Sequence, residues 1–385
     1  MKLCIHNGIL LNGISNEGLC AVLVEDGKIK DVFSEARYES KCFADDVQII
    51  DAAGCYITPG LIDTHIHGFK GHGTDICTKE GILAMSKDLA DYGVTSFNPT
   101  LYPSSEENMI NSIKEIVKAM GHEEGAKIMG IHMEGPFISP QKLGVQRPET
   151  VRAPDIPLMQ RLWDASEGHI VNMTVAPELK GMRELALFCI EKGIILQAGH
   201  TNAEYKNMLE GIQIGILHST HFFNAMSQMH HRNPNATGAV LIHPEMSCEI
   251  IADGVHVHKD LFTLLQQDKS SEQIVLVTDA LTPTEQTGEH LFANGEEVKF
   301  TEGCFHRVAD NVIAGSGLTL IKAVENTRDF GFALHDAVRF ATANPARIMK
   351  YKSKGTIAPG YDSDIIIFDQ NFNIKQVIIG DKIVK

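Results

Sequence analysis

Two histidines separated by one residue, His65 and His67 in the run Asp63-Thr64-His65-Ile66-His67, are the first residues of this chain whose spacing suits chemistry. On a strand, residues i and i+2 project from the same face, so both imidazoles point one way and can share a metal ion. An isolated His-x-His pair is more readily two surface or structural histidines; the apolar run YITPGLI before it and the Gly-rich HGFKGHG after it shift the balance to a site. Glu134 ends a second apolar stretch, IMGIHMEGPF, and an ionised carboxylate on a buried strand needs a cation or several donors. His132 points the same way as Glu134, but it serves equally well as a hydrogen-bonded neighbour and stays outside the ligand set. His200 follows IILQAG and His221 sits in STHFFNAM. With Glu134 they make a set of two histidines and one carboxylate, which leaves a position open for water, as catalytic rather than structural zinc-type sites do. Asp279 ends QIVLVTDA. It is either a helix N-cap, because Asp there offers an acceptor oxygen, or a general base beside an activated water; the buried run IVLV before it favours the base.

These residues share a position relative to the elements that carry them. A short apolar run ends in a histidine or carboxylate in GLIDTHIHG (60–68), IMGIHMEGPF (128–137), IILQAGH (194–200), HSTHFFNAM (218–226), CEIIADGVH (248–256) and QIVLVTDA (273–280). Such runs of four to eight residues are what strands buried on both faces look like. VTSFNPTL (94–101) and VNMTVAPEL (171–179) bring the count to about eight, with amphipathic segments between strands at 79–93, 105–121, 182–193 and 319–331. The pattern predicts a (β/α)8 TIM-type barrel. The carboxyl ends of its strands meet at one face, so His65, His67, Glu134, His200, His221, His256 and Asp279 converge although the sequence separates them. Residues 1–54 and 355–385 have another texture, short alternating strands with NG, DG, AG and GD turns, and predict a small β-sandwich domain built from both termini around a barrel at 55–354.

Bulk properties exclude some partners. A formal net charge of -15 argues against a nucleic-acid groove, which needs clustered Lys and Arg, yet a local basic pocket such as His230-His231-Arg232 still suits one phosphate. The eight cysteines are scattered without a CxxC pair, no stretch offers ~20 unbroken apolar residues, and the first residues lack a signal-peptide pattern. Together these predict a cytoplasmic protein with no membrane partner.

The motifs PGLIDTHIHG (59–68), GIHMEGPFISP (130–140), AGHTNAEY (198–205), THFFNAMSQMHHRNP (220–234), ADGVHV (252–257), LVTDA (276–280) and IAGSGLTL (313–320) run over nearly the whole chain. In them the sequence resembles the N-acetylglucosamine-6-phosphate deacetylases of the amidohydrolase superfamily. The resemblance implies metal ligands at Glu134, His200 and His221, Asp279 as acid/base, and, because His65 and His67 are both present, a second metal position. It implies one or two divalent ions per subunit, with zinc the first expectation and iron, manganese or cobalt compatible with the same ligand types. It further implies substrate contacts at Val145, Gln146, Asn224, Ala225, Arg232, His256, Ile313, Ala314 and Gly315, with Arg232 and His256 on the phosphate. In the family the equivalent arginine reaches over from a neighbouring subunit, so a homodimer is expected.

The chain departs from the family pattern at Gln146, where many members have a histidine that polarises the acetyl carbonyl, at Asn233 and Asn235, and over the segment 284–311. The expected reaction is hydrolysis of an amino sugar phosphate's acetamide to acetate and the free amine. A relative acting on N-acetylgalactosamine 6-phosphate is the alternative, and a non-catalytic scaffold on the same fold, which should have lost ligands, is a third reading.

Overall fold

The computed structural model describes residues 1–385. Its centre is a ring of parallel strands: β1 (Leu61–Ile66), β2 (Val94–Leu101), β3 (Ile131–Glu134), β4 (Ile170–Val175), β5 (Ile195–Ala198), β6 (His218–Ser219), β7 (Ser247–Ile251) and β8 (Ile274–Val277). Each pairs in parallel with the next. Every residue of β1, β2, β3, β7 and β8 is buried, which is why these strands are continuous apolar runs in the sequence. The ring closes just beyond the last strand: the Asp279 N–H donates to the His65 carbonyl and the His67 N–H to the Ala280 carbonyl, both at 2.9 Å. Closure therefore places Asp279 beside the His-x-His pair.

Helices fill the crossovers, among them Lys79–Asp91, Glu106–Ala119, Met182–Glu191 and, after β8, Leu320–Asp329. Their starts are set by hydroxyl caps: Thr78 Oγ1 accepts from the Gly81 N–H at 3.1 Å and Ser105 Oγ from the Asn108 N–H at 3.2 Å. The barrel interior is unusually polar. Asn98, Thr100, His132, Asn172, Thr174, Gln197, Thr220 and Glu249 are all buried and joined by side-chain hydrogen bonds. Complete pairing is what makes such a layer tolerable in a dry core.

The two ends of the chain meet in one sheet. Lys2–Leu11 pairs with Asn16–Glu25 on one side and with Gln48–Asp51 and Tyr56–Pro59 on the other, and Ile365–Phe368 adds to Tyr56–Pro59. The sheet folds over Leu3, Ile5, Val22, Ile57, Ile365 and Ile378 as the small β-sandwich domain that the terminal turns predict.

One element lies outside the expectation. Within 284–311 and just after it, Leu291–Ala293, Glu296–Thr301, Cys304–Arg307 and Ile313–Ser316 form a four-stranded antiparallel sheet over Leu281, Val298 and Phe305. Two tight turns build it, at Asn294-Gly295 (φ 50° and 71°) and Glu302-Gly303 (φ 53° and 92°). Paired positive φ values match the twist of hairpin strands, and Asn-Gly favours them.

Candidate metal centre

The carboxyl ends of the barrel strands bring two groups of ligand-bearing side chains together: Glu134, His200 and His221, and His65, His67 and Asp279. In the first, His200 Nε2 and His221 Nε2 each lie 3.1 Å from Glu134 Oε1 and 3.1 Å from one another. In the second, Asp279 Oδ1 is 3.4 Å from His65 Nε2 and 3.3 Å from His67 Nε2. Glu134 joins the two, 3.4 Å from His65 Nε2 through Oε1 and 3.4 Å from His67 Nε2 through Oε2.

The backbone is forced into place here. His200 (φ 45°), His221 (φ 23°) and Asp279 (φ 49°) are all left-handed, a conformation that costs L-residues of order 1–3 kcal/mol each and persists only where surroundings over-determine it. The surroundings are main-chain bonds: Ser139 N–H to His200 O at 2.8 Å, Phe222 N–H to Glu249 O at 2.8 Å, and Ser316 N–H to Asp279 O at 3.0 Å.

The far ring nitrogens decide what the near ones present. His200 Nδ1 donates to the Lys142 carbonyl at 2.9 Å and His67 Nδ1 to the Thr100 carbonyl at 3.1 Å. A carbonyl only accepts, so in the neutral rings both Nε2 atoms carry lone pairs aimed inward. His65 Nε2 is buried with no hydrogen-bond partner. Inward lone pairs beside buried carboxylates want a cation, and the residues present fit a divalent ion at either group. Burial pushes Glu134 toward protonation, but His200, His221 and His65 outweigh it and hold the carboxyl well below its usual range. Burial likewise raises Asp279, and His65 and His67 bring it down.

Above these groups opens a hollow of about 280 Å³. Its walls include His67, Glu134, His200, His221 and Asp279, and also Val145, Gln146, Asn224, Ala225, His256, Ile313, Ala314 and Gly315. Arg232 is not among them: it is exposed, with Nη1 2.8 Å from His231 Nε2. Gln146 donates through Nε2 to Glu134 Oε2 at 2.6 Å, and His256 Nδ1 lies 2.5 Å from Asp253 Oδ2. His132 turns away from the cavity, between Thr100 Oγ1 at 3.2 Å and Thr174 Oγ1 at 3.0 Å. Asp279 caps no helix, since the next one begins at Leu320. A larger hollow of about 560 Å³ beside Lys70, Tyr92 and Lys385 holds neither ligand group.

Two residues went unnoticed in the sequence. Tyr102 stacks on His67, ring centroids 3.8 Å apart, and walls the hollow. Glu249, fully buried on β7, lies 3.0 Å from His65 Nδ1. A charged residue inside the apolar run CEII was its signal.

The sequence model of the amidohydrolase family matches residues 24–384. Over 375 residues the chain is 30% identical to the N-acetylglucosamine-6-phosphate deacetylase of Bacillus subtilis (strain 168), covering 96% of this chain and 92% of the relative. Over 386 residues it is 29% identical to the protein of the same name from Lysinibacillus sphaericus, covering 100% and 98%. The crystal structure of N-acetylglucosamine-6-phosphate deacetylase from Pasteurella multocida superposes with a TM-score of 0.91 at 26% identity, covering 99% of this chain and 98% of that one.

Proposed function

Since the chain belongs to the amidohydrolase family, we propose that it hydrolyses the acetamide of N-acetylglucosamine 6-phosphate to glucosamine 6-phosphate and acetate. The observation that carries this reading is the Glu134, His200, His221 group at the floor of a hollow with Asp279 beside it. A scaffold that had lost its chemistry would not keep both ligand groups.

An amide resists water because water is a weak nucleophile and an amine a poor leaving group. A divalent ion held by Glu134, His200 and His221 supplies a lowered water pKa and Lewis acidity toward the acetyl oxygen. Asp279, whose Oδ1 lies 3.4 Å from His65 Nε2 and 3.3 Å from His67 Nε2, takes the proton from the attacking water and returns it to the departing sugar nitrogen. The Gln146 amide has two N–H groups and gives one to Glu134, so the other is free to meet the acetyl oxygen in place of the usual histidine. His256, on the hollow's wall, binds the phosphate, and Asn224, Ala225 and residues 313–315 line the sugar.

The finer readings belong to the same proposal. The ion is zinc, with a second position at His65, His67 and Asp279. The protein works as a homodimer, because Arg232 stands outside the hollow of its own chain and suits a neighbour's substrate. It resides in the cytoplasm, in keeping with eight free cysteines; no helix is long and apolar enough to cross a membrane.

An acetate-release assay on N-acetylglucosamine and N-acetylgalactosamine, each with and without the 6-phosphate, tests the reading. Fastest turnover of N-acetylglucosamine 6-phosphate is expected. Preference for the galactosamine epimer would move the assignment to the related sugar, and release from none would overturn it.

A further inference from the structure

Glu249 sits in the middle of β7, with no exposed surface, below the floor of the hollow. An ionised carboxylate there is costly unless donors surround it. Three do. Oε2 takes His65 Nδ1 at 3.0 Å and the His221 N–H at 3.2 Å, and Oε1 takes Gln197 Nε2 at 2.9 Å. His218 Nε2, at 3.8 Å from Oε1, lies beyond hydrogen-bond range.

The bond to His65 has a directional consequence. A carboxylate only accepts, so His65 carries a hydrogen on Nδ1, and in the neutral ring that a metal ion requires Nε2 is the lone pair. That atom is buried, has no hydrogen-bond partner, and lies 3.4 Å from both Glu134 Oε1 and Asp279 Oδ1. His67 is oriented by a neutral carbonyl, that of Thr100, whereas His65 is oriented by a full negative charge. A carboxylate behind a ligating imidazole fixes its ring and raises its basicity.

We propose that Glu249 is the positioning residue of the second metal position: by fixing the orientation and tautomer of His65, it controls whether the His65, His67, Asp279 group is occupied. This rests on the two-ion reading above. The competing role is a purely structural one, in which Glu249 only satisfies Gln197 and the interior layer.

The test is metal stoichiometry and affinity of the full-length protein. Wild type, Glu249→Gln, His65→Asn and the double variant are loaded with zinc, and bound ions per chain are measured by mass spectrometry with competition against a chelator. Wild type should bind two ions. Glu249→Gln should weaken one of them by about 10–100-fold and leave the other nearly unchanged, and adding it to His65→Asn should change nothing further. If Glu249→Gln is not recovered folded, Glu249→Asp, which keeps the charge but draws it back by one methylene, is judged by the same selective loss. Wild type holding a single ion would overturn the two-ion reading and this inference with it. Two ions in wild type, with either no change or equal weakening of both in the variant, would overturn this inference alone.

Discussion

His200 and His221 present their Nε2 atoms to each other at 3.1 Å, with Glu134 Oε1 at the same distance from both. His200 gives its Nδ1 hydrogen to the Lys142 carbonyl, so its neutral ring turns an acceptor toward the Glu134 carboxylate, a set that suits a cation, and both histidines hold left-handed backbone to present it.

Removing the cation should therefore be felt in stability as well as rate. Exhaustive chelation is expected to lower Tm, because an ion that binds only the folded state stabilises it by mass action. His221→Ala should lose the ion of the Glu134 group and reduce kcat by at least about 10³-fold, several kcal/mol of barrier. Calorimetry and metal analysis on the chelated protein and the variant check this. A chelated, metal-free preparation with full turnover would be inconsistent with it.

Asp279 makes two kinds of contact, a backbone bond that closes the barrel and a side-chain approach to His65 and His67. Asp279→Asn keeps the first and removes the proton acceptor. The expected result is a native fold, an ion retained at Glu134, His200 and His221, and kcat lower by about 10²–10⁴-fold. Near-normal turnover would leave Asp279 with only its role in closing the ring.

Much of this site was legible because burial on both faces writes a strand as an apolar run, and a polar residue at its end then has only the barrel mouth to occupy. Glu134, His200 and Asp279 follow that rule; His221 comes instead after the short polar strand His218–Ser219, with the apolar Phe222-Phe223 behind it. Glu249 breaks it: it lies inside its run, on the inner face of β7, and only the three-dimensional neighbours His65 and Gln197 give it meaning. The antiparallel sheet over 291–316 was missed for another reason. Its strands are short and half-exposed, with Phe292 and Phe300 turned to solvent, so the alternation is weak; the turns Asn294-Gly295 and Glu302-Gly303 were the better signal.

That sheet ends at the reacting groups, and Gly315 is the point of contact. Its φ is 152°, and an added Cβ would stand 2.6 Å from Leu281 Cδ2 and 3.0 Å from the Asp279 carbonyl oxygen. Gly315→Ala should push Asp279 away from His65 and His67. We expect kcat to fall at least about tenfold, since small displacements of a positioned group are expensive, together with a loss of roughly 1–3 kcal/mol of stability. Unchanged kinetics and Tm would mean the sheet is not coupled to Asp279.

Arg232 supplies the last prediction, because its position separates two arrangements of the active site. It is exposed, lies outside the hollow of its own chain, and belongs to the loop His230-His231-Arg232, a basic cluster on an acidic protein. A guanidinium suits phosphate through paired, charge-assisted bonds. If it acts on a neighbour's substrate, Arg232→Ala should raise KM for the phosphorylated sugar far more than for the unphosphorylated one. Mixing then gives a sharper test. Arg232→Ala and Asp279→Asn proteins are each impaired, but a dimer of one with the other contains one complete site, with Arg232 from one chain and Asp279 from its partner. Random reassociation of equal amounts should recover about a quarter of wild-type kcat/KM, since half the dimers are mixed and each has one good site of two. If Arg232 served its own chain, no mixed dimer would contain a complete site, and activity would stay at the average of the two parents.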